Sequence, residues 1–455
     1  MPSGTGNPTA AAFDVVIVGA RCAGAPLGTL LAREGVKVAL VEQAQFPRDT
    51  LSSHIFETDA LTHLEELGVA TRLLATGAPF VNHTDMRVED VRLQLEWPRG
   101  PGDPGGLMSV RRFVLDPILA AAAAEAGAEL RMGARVVGLI EEGGRVAGVR
   151  VDGGSAPHEL RADLVVGADG RQSTVARLVG ARKYNVTHNQ RTLYWRYYEN
   201  AQFDEQPTFV THRWSDRFVL GIPADGGLYQ AVIWPEFADF ERHGGDLESL
   251  FAEQLSGCEP IERCIAGGRP VGKILGARRW EMFFREAAGP GWVLVGDAGH
   301  FKDPGPGRGI GDALLQAHSL AHAIAAALHP RSQLDQAMRR WARWRDEEFA
   351  EHYWFAADTS ATGHLPAVLS ELLRDLKAKG RAGEFFELLN HRARPSSVLT
   401  PARVLRATAA ALARRSGHRR EVLRDVGGLL VEDRRRRRLN RRPVYAPAAG
   451  AGPSR

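Results

Sequence analysis

Residues 13–18 form a short, β-branched apolar run that stops at a glycine. Such a run suits a strand covered on both faces, as in a parallel sheet. It is followed by Gly19-Ala20-Arg21-Cys22-Ala23-Gly24, a helical stretch over residues 25–33 stopped at Gly35, and a second apolar run over residues 36–41. One strand–turn–helix–strand unit therefore opens the chain. Its turn presents free N–H groups and the positive end of a helix, which together attract a pyrophosphate. Glycine lets the backbone approach the phosphates without a Cβ in the way. Arg21 stands where the usual pattern has its second glycine, so its side chain lies either beside the phosphates or swung out to solvent. Glu42 ends the second strand, where a carboxylate can accept hydrogen bonds from a ribose, and Gln43 shares that edge. Only one such unit is present, so any second nucleotide has to bind without a fold of its own.

With 455 residues, the chain exceeds one simple core, and two or three units are expected. No apolar run approaches the roughly 20 residues of a membrane-spanning helix. Residues 1–12 are small and polar, unlike a signal peptide. The expectation is a cytoplasmic protein without a membrane span, monomeric or homodimeric. Cys22, Cys258 and Cys264 are too few and too irregularly spaced for a disulfide framework or a metal cage. Arg434, Arg435, Arg436, Arg437, Arg438, Arg441 and Arg442 carry seven positive charges, and without them the net charge falls from +4 to −3. Asp, Leu, Asn and Pro flank this run and no aromatic residue interleaves it. It reads as a solvated tail or helix face rather than a nucleic-acid site.

Further along, residues 59–67 read as a helix ended by Gly68, and residues 97–106 are a Pro- and Gly-dense loop. Residues 115–126 are helical. Residues 130–151, including Val136, alternate around Gly143 and Gly144 as a hairpin or small meander. From residue 192 aromatics gather at Tyr194, Trp195, Tyr197, Tyr198, Trp214 and Phe218. Residues 218–223 and 228–234 flank Ala224-Asp225-Gly226-Gly227, a hairpin turn. Residues 292–295 return to the buried-strand pattern, residues 310–328 form a helix, and the chain after 334 is helical up to a disordered tail over 443–455.

Three more motifs follow the first turn in order. They are Arg112-Phe113-Val114-Leu115-Asp116, Asp169-Gly170 with Ser173 and Arg177, and Gly296-Asp297-Ala298-Gly299-His300 followed by Asp303-Pro304-Gly305-Pro306-Gly307-Arg308-Gly309-Ile310. Together they resemble the class A FAD-dependent flavoprotein monooxygenases, the family of p-hydroxybenzoate hydroxylase, over residues 12–330. Geranylgeranyl reductases share these flavin motifs.

The resemblance implies an α/β fold, α+β overall. A Rossmann-like FAD-binding domain would comprise residues 12–80, 107–191 and 286–333. An antiparallel-sheet substrate domain would comprise 81–106 and 192–285, with a helical C-terminal region over 334–442. Gly19, Ala20, Arg21, Cys22, Ala23, Gly24, Glu42, Gln43 and Val136 would border FAD. Arg112, with Arg111 as its rival, would lie over it, and Asp169 and Gly170 would sit near its pyrophosphate. Gly296 and Asp297 would hold ribityl or ribose hydroxyls. Pro304, Gly307, Gly309 and Ile310 would place a helix start against the pyrimidine edge of the isoalloxazine, where it stabilises an anion by up to about 2 kcal/mol. Arg308, where the family often has Gln, would add a cation there. Ser53, His54 and Ile55 would pass the flavin, with Arg48 replacing an arginine that the family carries nearer to it.

The activity implied is oxygenation. NAD(P)H reduces FAD, O₂ adds at flavin C4a, and the hydroperoxide gives one oxygen atom to an aromatic or polyketide-like small molecule of secondary metabolism. The cofactor carries that chemistry, so no catalytic dyad is expected. Tyr194, Trp195, Tyr197, His212, Arg213 and Tyr229 are the candidate substrate contacts, and His54 or His212 the candidate base for a phenol. Alkene saturation of the geranylgeranyl reductase type and a redox-neutral, FAD-holding cyclase are the alternatives. Tryptophan halogenases carry a Trp-x-Trp-x-Ile-Pro element and a lysine, but only Ile222-Pro223 is present here and no lysine lies between Lys37 and Lys183.

Overall fold

The computed structural model describes residues 12–446, apart from residues 49, 51, 53, 154–156, 204, 329 and 415. Its first layer is a sheet in the order Ala288–Gly289, Trp292–Leu294, His158–Gly167, Ala12–Val18, Val38–Glu42, Glu129–Met132. Ala12–Val18 runs parallel to both neighbours, with Val15 opposite Leu164 on one side and Val38 on the other. Val15, Val16 and Ile17 are fully buried, as a strand covered on both faces requires. One face packs on the helices Gly24–Arg33, Arg112–Glu125 and Gly309–Ala325. The other packs under the meander Arg135–Glu142, Arg145–Asp152 and the helix Thr174–Leu178. Gly143 and Gly144 make the meander's turn with φ of 58° and 76°.

The second layer is a seven-stranded sheet ordered Arg269–Ala277, Leu193–Glu199, Tyr229–Ile233, Arg217–Pro223, Thr208–Trp214, His83–Val88, Val91–Glu96. It is antiparallel except where Thr208–Trp214 meets His83–Val88. That single parallel pairing lets the early hairpin join the sheet from a distant part of the chain. Alternation sorts the sheet into two faces. The inner face carries Trp195, Tyr197, Phe209, Phe218 and Leu220. The outer face carries Tyr194, Tyr198, Val210, Val219 and Tyr229, covered by helices between residues 237 and 265.

The long helix Leu334–Thr359 brings Phe349, Tyr353 and Trp354 into the inner-face core. Arg345 on that helix is fully buried and donates to the carbonyl of Arg285 at 2.8 Å. The helices Ala367–Ala378, Gly383–Leu389, Pro401–Arg414 and Arg419–Arg441 follow. Residues 443–446 correct the expected disordered tail. Asn185 donates its N–H to the Val444 carbonyl at 3.0 Å, and Ala446 donates to Lys183 at 2.8 Å. Lys183–His188 is an edge strand whose open backbone groups need partners, and nothing local to the tail reveals that partner. Residues 447–455 lie outside the described residues.

Trp234, 1% exposed and stacked on Phe218 with ring centroids 4.5 Å apart, is a keystone of the inner face. Trp234→Ala should lower stability by about 3–5 kcal/mol, whereas Leu405→Ser, at a 72% exposed position, should stay within about 0.5 kcal/mol. Denaturant midpoints check both, and equal midpoints would contradict the packing described.

Candidate active site

Gly19 adopts φ 103°, and a Cβ there would lie 2.5 Å from the Ala168 carbonyl oxygen. A Cβ on Gly24 would fall 1.8 Å from the oxygen of Gly19. These two glycines are therefore fixed by the close passage of turn, helix and strand. Gly296, with φ 61°, closes the same region: a Cβ on it would come within 2.9 Å of the Ala23 methyl. The first turn and the Gly296-Asp297 motif thus touch across the sheet's C-terminal edge, where open α/β sheets bind ligands.

Glu42 is buried and accepts from the Ala20 N–H at 3.0 Å and the Ala44 N–H at 2.9 Å. Arg21 does not swing out to solvent. It turns inward, donating to Asp116 at 3.1 Å and passing 4.0 Å from Glu42. Cys22 is buried beside Asp116, and burial pushes its thiol up to about 12. Between the two candidate arginines the geometry is clear. Arg112 is the less exposed one, donating to Asp116 at 2.6 and 3.1 Å. Burial opposes its charge, but Cys22, Asp116 and Asp297 around it hold the guanidinium protonated. Arg111 instead joins Asp225 at the sheet's hairpin, at 2.7 Å. Burial pushes the Asp297 carboxyl up to about 6 against the pull of Arg112.

Asp169 is occupied locally. It accepts from Ser173 Oγ at 2.5 Å, the Thr174 N–H at 2.6 Å and the Val175 N–H at 3.1 Å, fixing the start of Thr174–Leu178. Gly170 has φ 78°. Val136 is packed opposite Val151 in the meander. Gln43 and Arg48 are exposed, and Ser53 lies outside the described residues.

Arg308 differs most from the open cation expected. It is 2% exposed, and its guanidinium reaches Asp59 at 2.7 and 2.6 Å and Glu57 at 3.0 Å. It is an internal clamp between the helices Thr58–Glu66 and Gly309–Ala325, not an open cation. Lys302 pairs with Asp312 at 2.5 Å in the same cluster. Burial disfavours the Arg308 cation, but Asp59 and Glu57 outweigh it. Asp59 takes the bidentate contact. For Glu57, burial outweighs Arg308 and pushes the carboxyl up to about 8. Gly307 (φ 79°) would bring a Cβ to 3.3 Å from Glu57 Oε1.

A cavity of about 850 Å³ opens beside Glu57. Its walls include Ile55, Met86, Trp97, Phe209, Thr211 and Leu220, with Gly305 and Gly307 on the loop side and Trp354 and Phe355 on the long helix. The sheet's alternation decides which sequence candidates belong here. Trp195, Tyr197 and Arg213 are on the inner face. Tyr194 and Tyr229 point to the outer helices and are removed from the substrate set. His212 is removed from both the substrate and the catalytic sets, because it is held on the outer side by Asp85 at 3.2 Å and Cys258 at 3.4 Å. Arg213 lines the cavity, but its guanidinium caps the end of the long helix at the carbonyls of Thr359, Ala361 and Gly363. His54 is fully buried with φ 62°, hydrogen-bonded through Nδ1 to the Tyr197 hydroxyl. Burial, then Arg112, press its imidazole down to about 3, so it is neutral at neutral pH.

The profile described as FAD binding domain matches residues 12–344. The chain belongs to this FAD-binding family. Its relatives include both oxygenases and reductases. It is 27% identical over 389 residues to a menaquinone reductase of Mycolicibacterium smegmatis, covering 78% of this chain and 86% of the relative. It is 28% identical over 346 residues to 6-methylpretetramide 4-monooxygenase of Streptomyces rimosus, covering 72% and 77%. The flavin-dependent brominase Bmp2 shares its fold, with TM-score 0.71 at 18% identity over 89% of this chain and all of that one. The open glycine turn, the Glu42 carboxylate and the helix start at Gly309 fit an FAD, which the family binds. Sequence reasoning missed Glu57, Asp59, Lys302 and Asp312, since acids in a first helical turn read as ordinary dipole partners. A lysine and an arginine within the Pro/Gly loop were the available signal.

Glu57 makes the stability of this family member pH-dependent. Its folded pKa of about 8 exceeds the ordinary 4.5, so the folded state holds the extra proton between those values. Stability from this group is intact below about pH 4.5 and declines as pH rises towards 8. Glu57→Gln, which keeps an acceptor for Arg308, should flatten that decline in a melting-temperature series. An unchanged slope would refute the assignment.

Proposed function

We propose that this flavoprotein is a monooxygenase that uses NAD(P)H and O₂ to oxygenate an aromatic or polyketide-like small molecule. The observation that carries the reading is the large apolar cavity whose wall includes Glu57 and Gly307, of a size for a polycyclic ligand. The similarity to a pretetramide monooxygenase supports it.

In this reading the turn from Gly19 to Gly24, Glu42, Arg112 and Asp297 hold FAD, and the helix start at Gly309 meets its pyrimidine edge. Bound FAD supplies the redox chemistry: hydride acceptance from NAD(P)H, activation of O₂ and transfer of one oxygen atom. The protein's own work is placement and proton control. Met86, Trp97, Phe209 and Leu220 exclude water from the substrate. Thr211 offers a hydroxyl on the sheet wall. Glu57 holds a proton at neutral pH at the cavity wall and is the group placed to give it up or take it back. His54 is too weak a base to deprotonate a phenol. Its bond to Tyr197 makes the pair a rigid backing for the segment at Ile55.

A second reading, reduction of an alkene or a quinone, is favoured by the similarity to a menaquinone reductase. Anaerobic mixing with NADPH or NADH, followed by air, separates the two. The proposal expects bleaching near 450 nm and then oxygen uptake coupled to a hydroxylated product when a polycyclic phenol is present. Saturation of an isoprenoid without oxygen would overturn it. Thr211→Trp, which narrows the cavity, should lower kcat/KM for the phenol more than about tenfold with the flavin spectrum unchanged.

A further inference from the structure

The arginine run lies on and just past the terminal helix Arg419–Arg441, and its placement there is ordered. At 100° per residue, one outward sector of about 140° collects two kinds of residue. The first half of the helix contributes Leu423, Leu430 and Val431, which are 56%, 53% and 65% exposed. The second half contributes Arg434, Arg437, Arg438, Arg441 and Arg442, which together line one groove. Arg435 and Arg436 pair with Glu432, and Arg437 with Asp433. Arg434, Arg438, Arg441 and Arg442 have no carboxylate partner among the described residues. The other side of the same helix faces inward: Gly428, Leu429 and Arg436 line the cavity, joined by Leu430 and Arg437 from the near edge of the outward sector. One helix is therefore both a wall of the apolar cavity and an outer surface of exposed aliphatics beside unpaired cations.

We propose that this face docks on an anionic membrane surface, with the arginines on lipid phosphates and Leu423 and Val431 in the headgroup layer, so that a lipophilic substrate enters the cavity past the terminal helix. The entry route rests on the proposed use of the cavity for substrate; the docking does not. An exposed aliphatic patch continuous with a cationic one is the pattern of an interfacial helix. Each arginine near an anionic leaflet adds about fivefold to partitioning. A nucleic-acid groove would instead carry aromatic stacking platforms, and the exposed side chains here are aliphatic.

The test is co-sedimentation of the full-length, flavin-loaded protein with vesicles of phosphatidylcholine, with and without phosphatidylglycerol. Binding to the phosphatidylglycerol vesicles that weakens with added salt is expected. The quadruple variant R434Q/R438Q/R441Q/R442Q should bind more than about tenfold less, and L423S/V431S should also bind less. Both change exposed residues outside the cavity, so the flavin spectrum and NAD(P)H oxidation should be unchanged. No vesicle binding, equal binding by the variants, or tighter binding to duplex DNA or RNA than to vesicles would overturn the proposal. Failure here with oxygen uptake intact would leave the oxygenase reading standing, and loss of oxygen uptake with vesicle binding intact would do the reverse.

Discussion

The guanidinium of Arg308 is buried between Glu57 and Asp59, and the site's geometry depends on that contact. Charges leave water at considerable cost, and removing one partner from a buried pair costs about 3–5 kcal/mol. The cluster persists because Arg308 is matched by Asp59 and Lys302 by Asp312, while Glu57 accepts a hydrogen bond from Arg308. Its effect is to fix two helix starts against each other. One follows the His54–Ile55 segment, and the other follows the Pro/Gly loop that passes Gly307. Asp303 stiffens the same loop by accepting from Gly305 N–H at 2.9 Å and Trp280 Nε1 at 3.3 Å. With Asp59 holding Arg308 bidentately, Glu57 is left as the carboxyl that keeps its proton at the cavity wall. A charge pairing made for packing thus also sets the protonation of a carboxyl at the cavity wall.

The parts of the site that are local in sequence were legible from it. The strand–turn–helix unit, the Gly296-Asp297 motif and the hairpin at Asp225 each declare themselves within a few residues, because backbone geometry demands glycine there. Which face of the sheet looks inward was not legible. The alternation of Tyr194, Trp195 and Tyr197 is plain, but its parity depends on what covers the outer side, and that is the helices between residues 237 and 265. His212 was misplaced for this reason. Arg308 was misread because its partner Glu57 is 251 residues away and no local pattern announces the pair.

The C-terminal helices complete the molecule in a way the flavin motifs do not anticipate. Phe349, Tyr353 and Trp354 fill the inner face of the sheet, and Arg213 and Arg191 both reach the carbonyl of Ala361 just past the long helix. The cavity is therefore shaped by both the sheet and the C-terminal helices. Likeness to a brominase, a monooxygenase and a reductase is consistent with that arrangement, since function is set by the site and not by the fold.

The most direct test of the Arg308 clamp is the Arg308→Gln variant, measured for FAD affinity, melting temperature and flavin midpoint potential. The clamp predicts loss of stability and weakened FAD retention, because Glu57 and Asp59 lose their buried partner and the loop loses its anchor. A variant that keeps FAD and its melting temperature while its flavin potential falls would contradict this account and restore Arg308 as an open cation at the flavin.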